Sequence, residues 1–164
     1  MGTLLQERGL RAGETPEDWN VERPDDIAAI HRAYIEAGAE VIYTNTFGAN
    51  RLKYHGKYTL EEVIKAGLEI AGRARTPFRA ETEEARSISG GRGATRPTVR
   101  IALDLGPTGK LLKPAGDLSF DAAYEAFAEV VREGAYELKI ALAAKAGTKG
   151  AGHFHADGTF HEER

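Results

Sequence analysis

The chain has 164 residues, of which 41% are hydrophobic and 29% charged, and its 22 basic and 25 acidic side chains give a formal net charge of −3. That length and mixture suit one soluble globular domain with a buried core, and charges of both signs along the chain give no general pull toward nucleic acid or acidic lipid. Cysteine is absent, which removes a disulfide framework, a thiolate zinc site and a cysteine nucleophile.

No apolar run reaches the roughly 18 residues that would mark a membrane span, and MGTLLQERGL lacks the apolar core of a secretory signal, so the expected location is the cytoplasm. The first element predicted is a helix opening at Pro24, whose fixed φ suits a first helical position, with Asp25 and Asp26 at the positive end of the dipole. Ile27, Ile30, Tyr34 and Ala37 recur on one face, and Gly38 is the natural stop. Only Ala39 separates that glycine from the β-branched run Glu40–Thr44, a spacing typical of a helix-to-strand connection. The strand then leads into Thr44-Asn45-Thr46-Phe47-Gly48-Ala49-Asn50. An amide and two hydroxyls at a strand exit can hydrogen-bond a small polar ligand at the mouth of a sheet, and the same residues equally suit a turn that satisfies its own backbone.

A second helix starts at Thr59, where Thr59 and Glu62 have capping-box spacing and Tyr58 can staple onto Val63. Val63, Ala66, Leu68, Ile70 and Ala71 form its apolar side. From Arg73 the apolar period dissolves, and residues 73–98 read as a flexible loop, a functional loop or an insertion. Seven arginines fall between 73 and 100, but glutamates stand among them and the single aromatic, Phe78, makes no interleaved pattern to stack bases, so nucleic acid is not an expected partner.

The second strand is Val99–Leu105, which exits into Gly106-Pro107-Thr108-Gly109. A long helix follows from Ser119 as N-cap, with Phe120, Ala123, Tyr124, Phe127, Val130 and Val131 as its core face. Helical pattern resumes past Gly134 and ends at Lys145 and Gly147, which leaves 147–164 as a weakly ordered tail. His153, His155, His161 and Asp157 in that tail have metal-ligand chemistry, but a solvated terminus is the better reading. GPTGK is not a phosphate loop, because Asp104 stands where the first glycine is required and Leu111 where a hydroxyl would hold magnesium. His31 is expected at the surface or partly buried, and Trp19 is expected to anchor the N-terminal segment. Asp104 suits either a mouth-facing group or a hydrogen-bonded structural carboxylate.

Helices alternating with short buried strands are the pattern of an α/β fold with a parallel sheet, whose ligands gather at the carboxyl ends of the strands. The text MGT with LQ-x-RGL, then WN, RP, IHR-x-Y-x-x-AGA, TNTFGAN and finally GPTG, in that order, closely resembles the homocysteine S-methyltransferase family. The likeness is nearest to the homocysteine-binding module of cobalamin-dependent methionine synthases, and it covers roughly residues 1–72 and 100–146. It implies a (β/α)₈ TIM barrel, a homocysteine thiolate activated by zinc, and methyl transfer to sulfur. The substrate-binding residues carried over are Gly2, Thr3, Thr44, Asn45, Thr46, Phe47, Gly106, Pro107 and Thr108.

Departures from that family are equally specific. Its members carry an Asp-Gly-Ala and a strand ahead of Met-Gly-Thr, and a further strand ending in a substrate-binding glutamate where Gly134-Ala135 here runs directly into Tyr136. Their zinc ligands are cysteines, so no catalytic or metal residue is assigned here. A closed barrel needs about 250 residues. The expectation is therefore a partial barrel over residues 1–146, about the first half, lacking its first and fourth strands and inactive alone. Homocysteine would bind it weakly or not at all, and a cobalamin or folate methyl donor would reach it only through other domains. The alternative is a non-catalytic α/β module whose open sheet edges pair with a second copy or a complementing fragment.

Overall fold

The structure is a computed structural model that describes residues 1–88, 99–146, 152–154 and 160–162. Its centre is a βαβ unit. β1 (Val41–Tyr43) and β2 (Arg100–Ala102) pair in parallel, with Val41 opposite Arg100, Ile42 opposite Ile101 and Tyr43 opposite Ala102, and helix α4 (Leu60–Ile88) is the crossover. Before it come α1 (Gly2–Glu7), a 3₁₀ turn at Pro16–Asp18, α2 (Trp19–Glu22) and α3 (Pro24–Glu36). After it comes α5 (Phe120–Ala146).

Side chains alternate across a strand, and that alternation sets the layers. Ile42 packs with Ile35, Ala71 and Val99, while Ile101 and Leu103 pack against the cluster of Val63, Ile64, Leu68 and Val130. The helices thus cover one face of the sheet. On the other face Tyr43 is 61% exposed. A third cluster of Leu5, Leu10, Trp19, Ile27, Ala28, Ile30 and Ile70 fastens the N-terminal segment to α3 and α4, with the Arg23 guanidinium 3.9 Å above the Trp19 ring.

Several boundaries follow from local chemistry, as expected. α3 begins at Pro24, and Gly38 takes φ +98°, so that the Ala39 N–H reaches the Tyr34 carbonyl in a left-handed helix end. At α4 the Thr59 Oγ1 accepts the Glu62 N–H at 3.2 Å, and the Glu62 carboxylate accepts the Thr59 N–H at 2.8 Å. The Thr59 N–H first, and then the Thr59 hydroxyl donating at 2.9 Å, hold the Glu62 carboxyl below its ordinary pKa. Ser119 caps α5 by accepting the Ala122 N–H.

Four expectations need correction. The core face of α3 is rotated: Tyr34 is 44% exposed and Ala37 lies outside, while Ile35 and His31 are buried, His31 completely. The reason is that α3 is wedged between α1, α4 and β1, which buries a wider stripe than one sheet contact would. The 73–98 loop is α4 as far as Ile88, and 89–98 lie outside the described residues. Arg, Ala and Glu are strong helix formers, so the hydrogen-bond ladder runs on where the apolar period stops. On α5 the buried positions are Ala123, Ala126, Val130 and Gly134, whereas Phe120 is 72% exposed and Tyr124 and Val131 also face outward. A close approach selects this small-residue face: a Cβ on Gly134 would press into the Leu103 side chain. Within the tail, Gly152–Phe154 and Phe160–Glu162 form antiparallel strands β3 and β4, while Asp157 and His155 lie outside the described residues. Helix α5 itself runs unbroken through Gly134–Tyr136, in keeping with the absence of a strand there.

Candidate functional site

The two strands deliver their exits to one rim. Thr44 and Thr46 are buried, and their hydroxyls lie 2.7 Å apart. Thr46 Oγ1 donates to the Asp104 carbonyl at 2.8 Å, which leaves Thr44 to donate to Thr46 while it accepts the Asp104 N–H at 3.1 Å. Two hydroxyls therefore hold the Asp104 backbone between them. The Asn50 side chain reaches toward the Pro107 carbonyl at 3.4 Å, and a Cβ on Gly106 would collide with the Phe47 carbonyl. Only glycine allows the second exit to lie this close to the first.

Asn45 is engaged on the inner side of the rim. Its Nδ2 donates to the Pro16 carbonyl at 2.8 Å and to Asn20 Oδ1 at 3.0 Å, and Asn20 Nδ2 donates to the carbonyls of Asn45 and Val63, both at 2.9 Å. Phe47 points outward, 51% exposed, with the Lys53 ammonium 4.6 Å from its ring centroid. Thr108 is buried and closes its own turn with the Lys110 backbone, while Pro107 is exposed. Thr44, Asn45, Thr46, Phe47, Gly106, Pro107 and Thr108 thus share one rim. Gly2 and Thr3 lie exposed in the first turn of α1, which packs on α3, and no hydrogen bond among the described residues joins them to that rim. The Met1 ammonium is nevertheless near enough to act electrostatically on both Asp104 and His31.

A strap at Pro16–Asn20 backs the rim. The buried Glu17 carboxylate accepts the Gly48 N–H. Asp18 accepts the Tyr54 hydroxyl at 2.6 Å and the Lys57 N–H, and a Cβ on Gly56 would meet Asp18 Oδ1. Burial first, and then the Asp18 hydrogen bond, push the Tyr54 phenol well above its ordinary pKa. Glu17 and Asp18 were not among the predicted site residues. Their partners stand 31 to 39 positions away, and pairing at that separation leaves no local pattern to read. A cleft of about 350 Å³ adjoins the strap, lined by Glu14, Asp18, Trp19, Glu22, His55 and Lys57 among others. All three of its acids are already occupied, Glu14 by the Arg11 N–H at 2.9 Å, Asp18 as above and Glu22 by the Lys57 ammonium at 2.6 Å.

Two ionisable groups have environments unlike water. His31 is buried with neither ring nitrogen hydrogen-bonded, and burial lowers its pKa to about 4. Asp104, at the exit of β2, is pushed upward by burial against the opposing pull of the Met1 ammonium, and its carboxylate makes no hydrogen bond or ion pair among the described residues. Among the described residues no three His, Asp or Glu side chains gather as a metal site.

Comparison with known proteins agrees with this architecture. The sequence profile described as Homocysteine S-methyltransferase matches residues 1–147. Methionine synthase of Mycobacterium leprae is 42% identical over 73 residues, and that of Mycobacterium tuberculosis 41% over 71; each match covers 40% of this chain and 6% of the relative. Among solved structures, the homocysteine methyltransferase MmuM from Escherichia coli superposes in its metallated form with a TM-score of 0.59 at 21% identity, over 82% of this chain and 48% of that one. Its oxidized form gives 0.53 at 24% identity, over 66% and 36%. At these identities the structures speak for the fold: the chain spans less than half of an α/β barrel enzyme. The chain belongs to the homocysteine S-methyltransferase family.

Proposed function

We propose that residues 1–147 form about the first half of a homocysteine-binding barrel, in which the rim of Thr44–Phe47 and Gly106–Thr108 supplies one side of the homocysteine site. The observation that carries this reading is the junction of the two strand exits through Thr46–Asp104, Asn50–Pro107 and the close approach of Gly106 to Phe47. Helix α5, unbroken where a fourth strand would stand, supports a partial barrel.

The family is zinc-dependent, and the donor set of this chain does not fit a thiolate zinc site, because the sequence holds no cysteine and no alternative cluster gathers among the described residues. The chain alone therefore binds homocysteine weakly and transfers no methyl group, and a cobalamin or folate donor belongs to other domains. Calorimetry of the purified chain with L-homocysteine, with and without zinc, alongside a methyl-transfer assay, tests this. Weak heats and no methionine are expected. Tight stoichiometric binding with turnover overturns the inactivity, and unchanged rim amides in a ¹⁵N NMR titration overturn the binding site.

A second reading is association through the open sheet. Each strand of the parallel pair has one neighbour among the described residues, and Tyr43, Phe120, Tyr124 and Val131 are exposed beside or behind it. Light scattering is expected to show dimers or larger species. A monomer with cooperative unfolding overturns this reading.

A further inference from the structure

Asp104 is an uncommon residue in this molecule: a partly buried carboxylate that has no hydrogen bond or ion pair among the described residues and feels only the longer-range pull of the Met1 ammonium. Its neighbours show that its position is built rather than incidental. Its N–H and C=O are held by Thr44 Oγ1 and Thr46 Oγ1, which fixes the point at which its side chain leaves the strand exit. Ile101 and Leu103 pack toward the helices, so alternation sends Ala102 and Asp104 to the opposite face, the one that carries the exposed Tyr43 ring. That face meets the strand-exit rim, next to Phe47 and Gly106. A partly desolvated acid costs stability unless a cation completes it; the Met1 ammonium acts on this one only without an ion pair, and no side-chain cation of the described residues reaches it. The other carboxylates at the rim, Glu17 and Asp18, are already satisfied by Gly48, Tyr54 and Lys57.

We propose that the Asp104 carboxylate receives the protonated amine of the small amino-acid ligand at this rim, which makes it the residue that selects an α-ammonium compound over an amine-free thiol. The inference rests on the reading of the rim as a homocysteine site and adds to it a specificity group contributed by β2. Thr44 and Thr46 act as positioning residues that hold Asp104 in place. The polar contact expected is a charge-assisted hydrogen bond from ligand nitrogen to Asp104 Oδ.

The test compares the full chain with its Asp104→Asn variant, which keeps shape and removes charge. Three probes are titrated while the Asp104, Leu105 and Gly106 amides are followed by ¹⁵N NMR: L-homocysteine, 4-sulfanylbutanoate (the same molecule without its amine) and n-propylammonium. The expected result is that the parent chain prefers homocysteine to 4-sulfanylbutanoate, and that Asp104→Asn loses about tenfold in homocysteine affinity with the amine-free thiol unaffected. Equal homocysteine binding by parent and variant overturns the role of Asp104 and leaves the homocysteine site standing. If homocysteine leaves the parent unchanged, the homocysteine reading fails. In that event, propylammonium shifts at residues 104–106 that vanish in Asp104→Asn sustain the cation site, and their absence overturns it. Matching thermal unfolding of the two proteins shows that the comparison reads charge and not folding.

Discussion

Most of the residues that follow β1 turn inward, whereas those that follow β2 stay partly open, with Gly106 and Thr108 buried between exposed neighbours. Thr44, Asn45, Thr46 and Asn50 are all buried, and each has a side-chain polar atom hydrogen-bonded within the chain. After β2, Leu105 and Pro107 are exposed and the Asp104 carboxylate is unmatched among the described residues. Two strand exits of similar composition thus differ in what their polar groups do for stability. At the first, hydroxyls and amides support the fold, because removing one strands its buried partner. At the second, the desolvated acid works against the fold and is available to something outside it.

The contrast can be broken at the contact between the exits. Gly106→Ala places a methyl group against the Phe47 carbonyl and should cost about 4 kcal/mol by urea denaturation, the largest single effect expected. A neutral result would mean that the exits are not in contact. Acidification should come next. His31 is buried with its pKa lowered to about 4, so the unfolded chain takes up its proton first, near pH 6.5. Stability is then lost progressively as pH falls from about 6.5 to about 4, up to about 3 kcal/mol. Denaturation midpoints measured across that window test the slope, and His31→Leu should flatten it.

Asn20→Ala sharpens the comparison, since it removes both donors to the buried Asn45 and Val63 carbonyls. It should cost about 2 kcal/mol by thermal or urea unfolding and loosen the first exit only. The smallest effect has the opposite sign. Burial raises the Asp104 pKa, and a raised acid is destabilising once pH exceeds its unfolded value. Asp104→Asn should therefore be neutral or stabilising by about 0.5 kcal/mol or less at pH 7, and indifferent near pH 3. A clear loss of stability would mean that the carboxylate has a structural partner.

What was legible in the sequence follows the range of the interaction. Pro24, Gly38, the Thr59–Glu62 box and Ser119 mark helix ends through contacts three to five residues apart, and these boundaries were readable. The parallel pairing of β1 with β2 was readable too, because a short buried strand, a helix and a second short strand have few other ways to pack. His31 was not, since a polar residue carries no sign of full burial. The helical course of residues 73–88 was missed because periodicity reports packing, and a helix also persists on backbone hydrogen bonds. At the rim, the residues after β1 were identifiable by type. The inward turn of Asn45 depends on Pro16 and Asn20, 29 and 25 positions away, and only the folded chain reveals it.

Helix α5 has a consequence for how large the sheet can become. Its 27 residues extend about 40 Å, while the three residues of β2 cover about 10 Å. A return helix normally matches its strand in length and drops the chain at the foot of the sheet, ready to climb again alongside. This one is about four times as long as the strand it follows. Among the described residues no strand pairs with the outer edge of β2, which leaves that edge as the place where the ladder would grow.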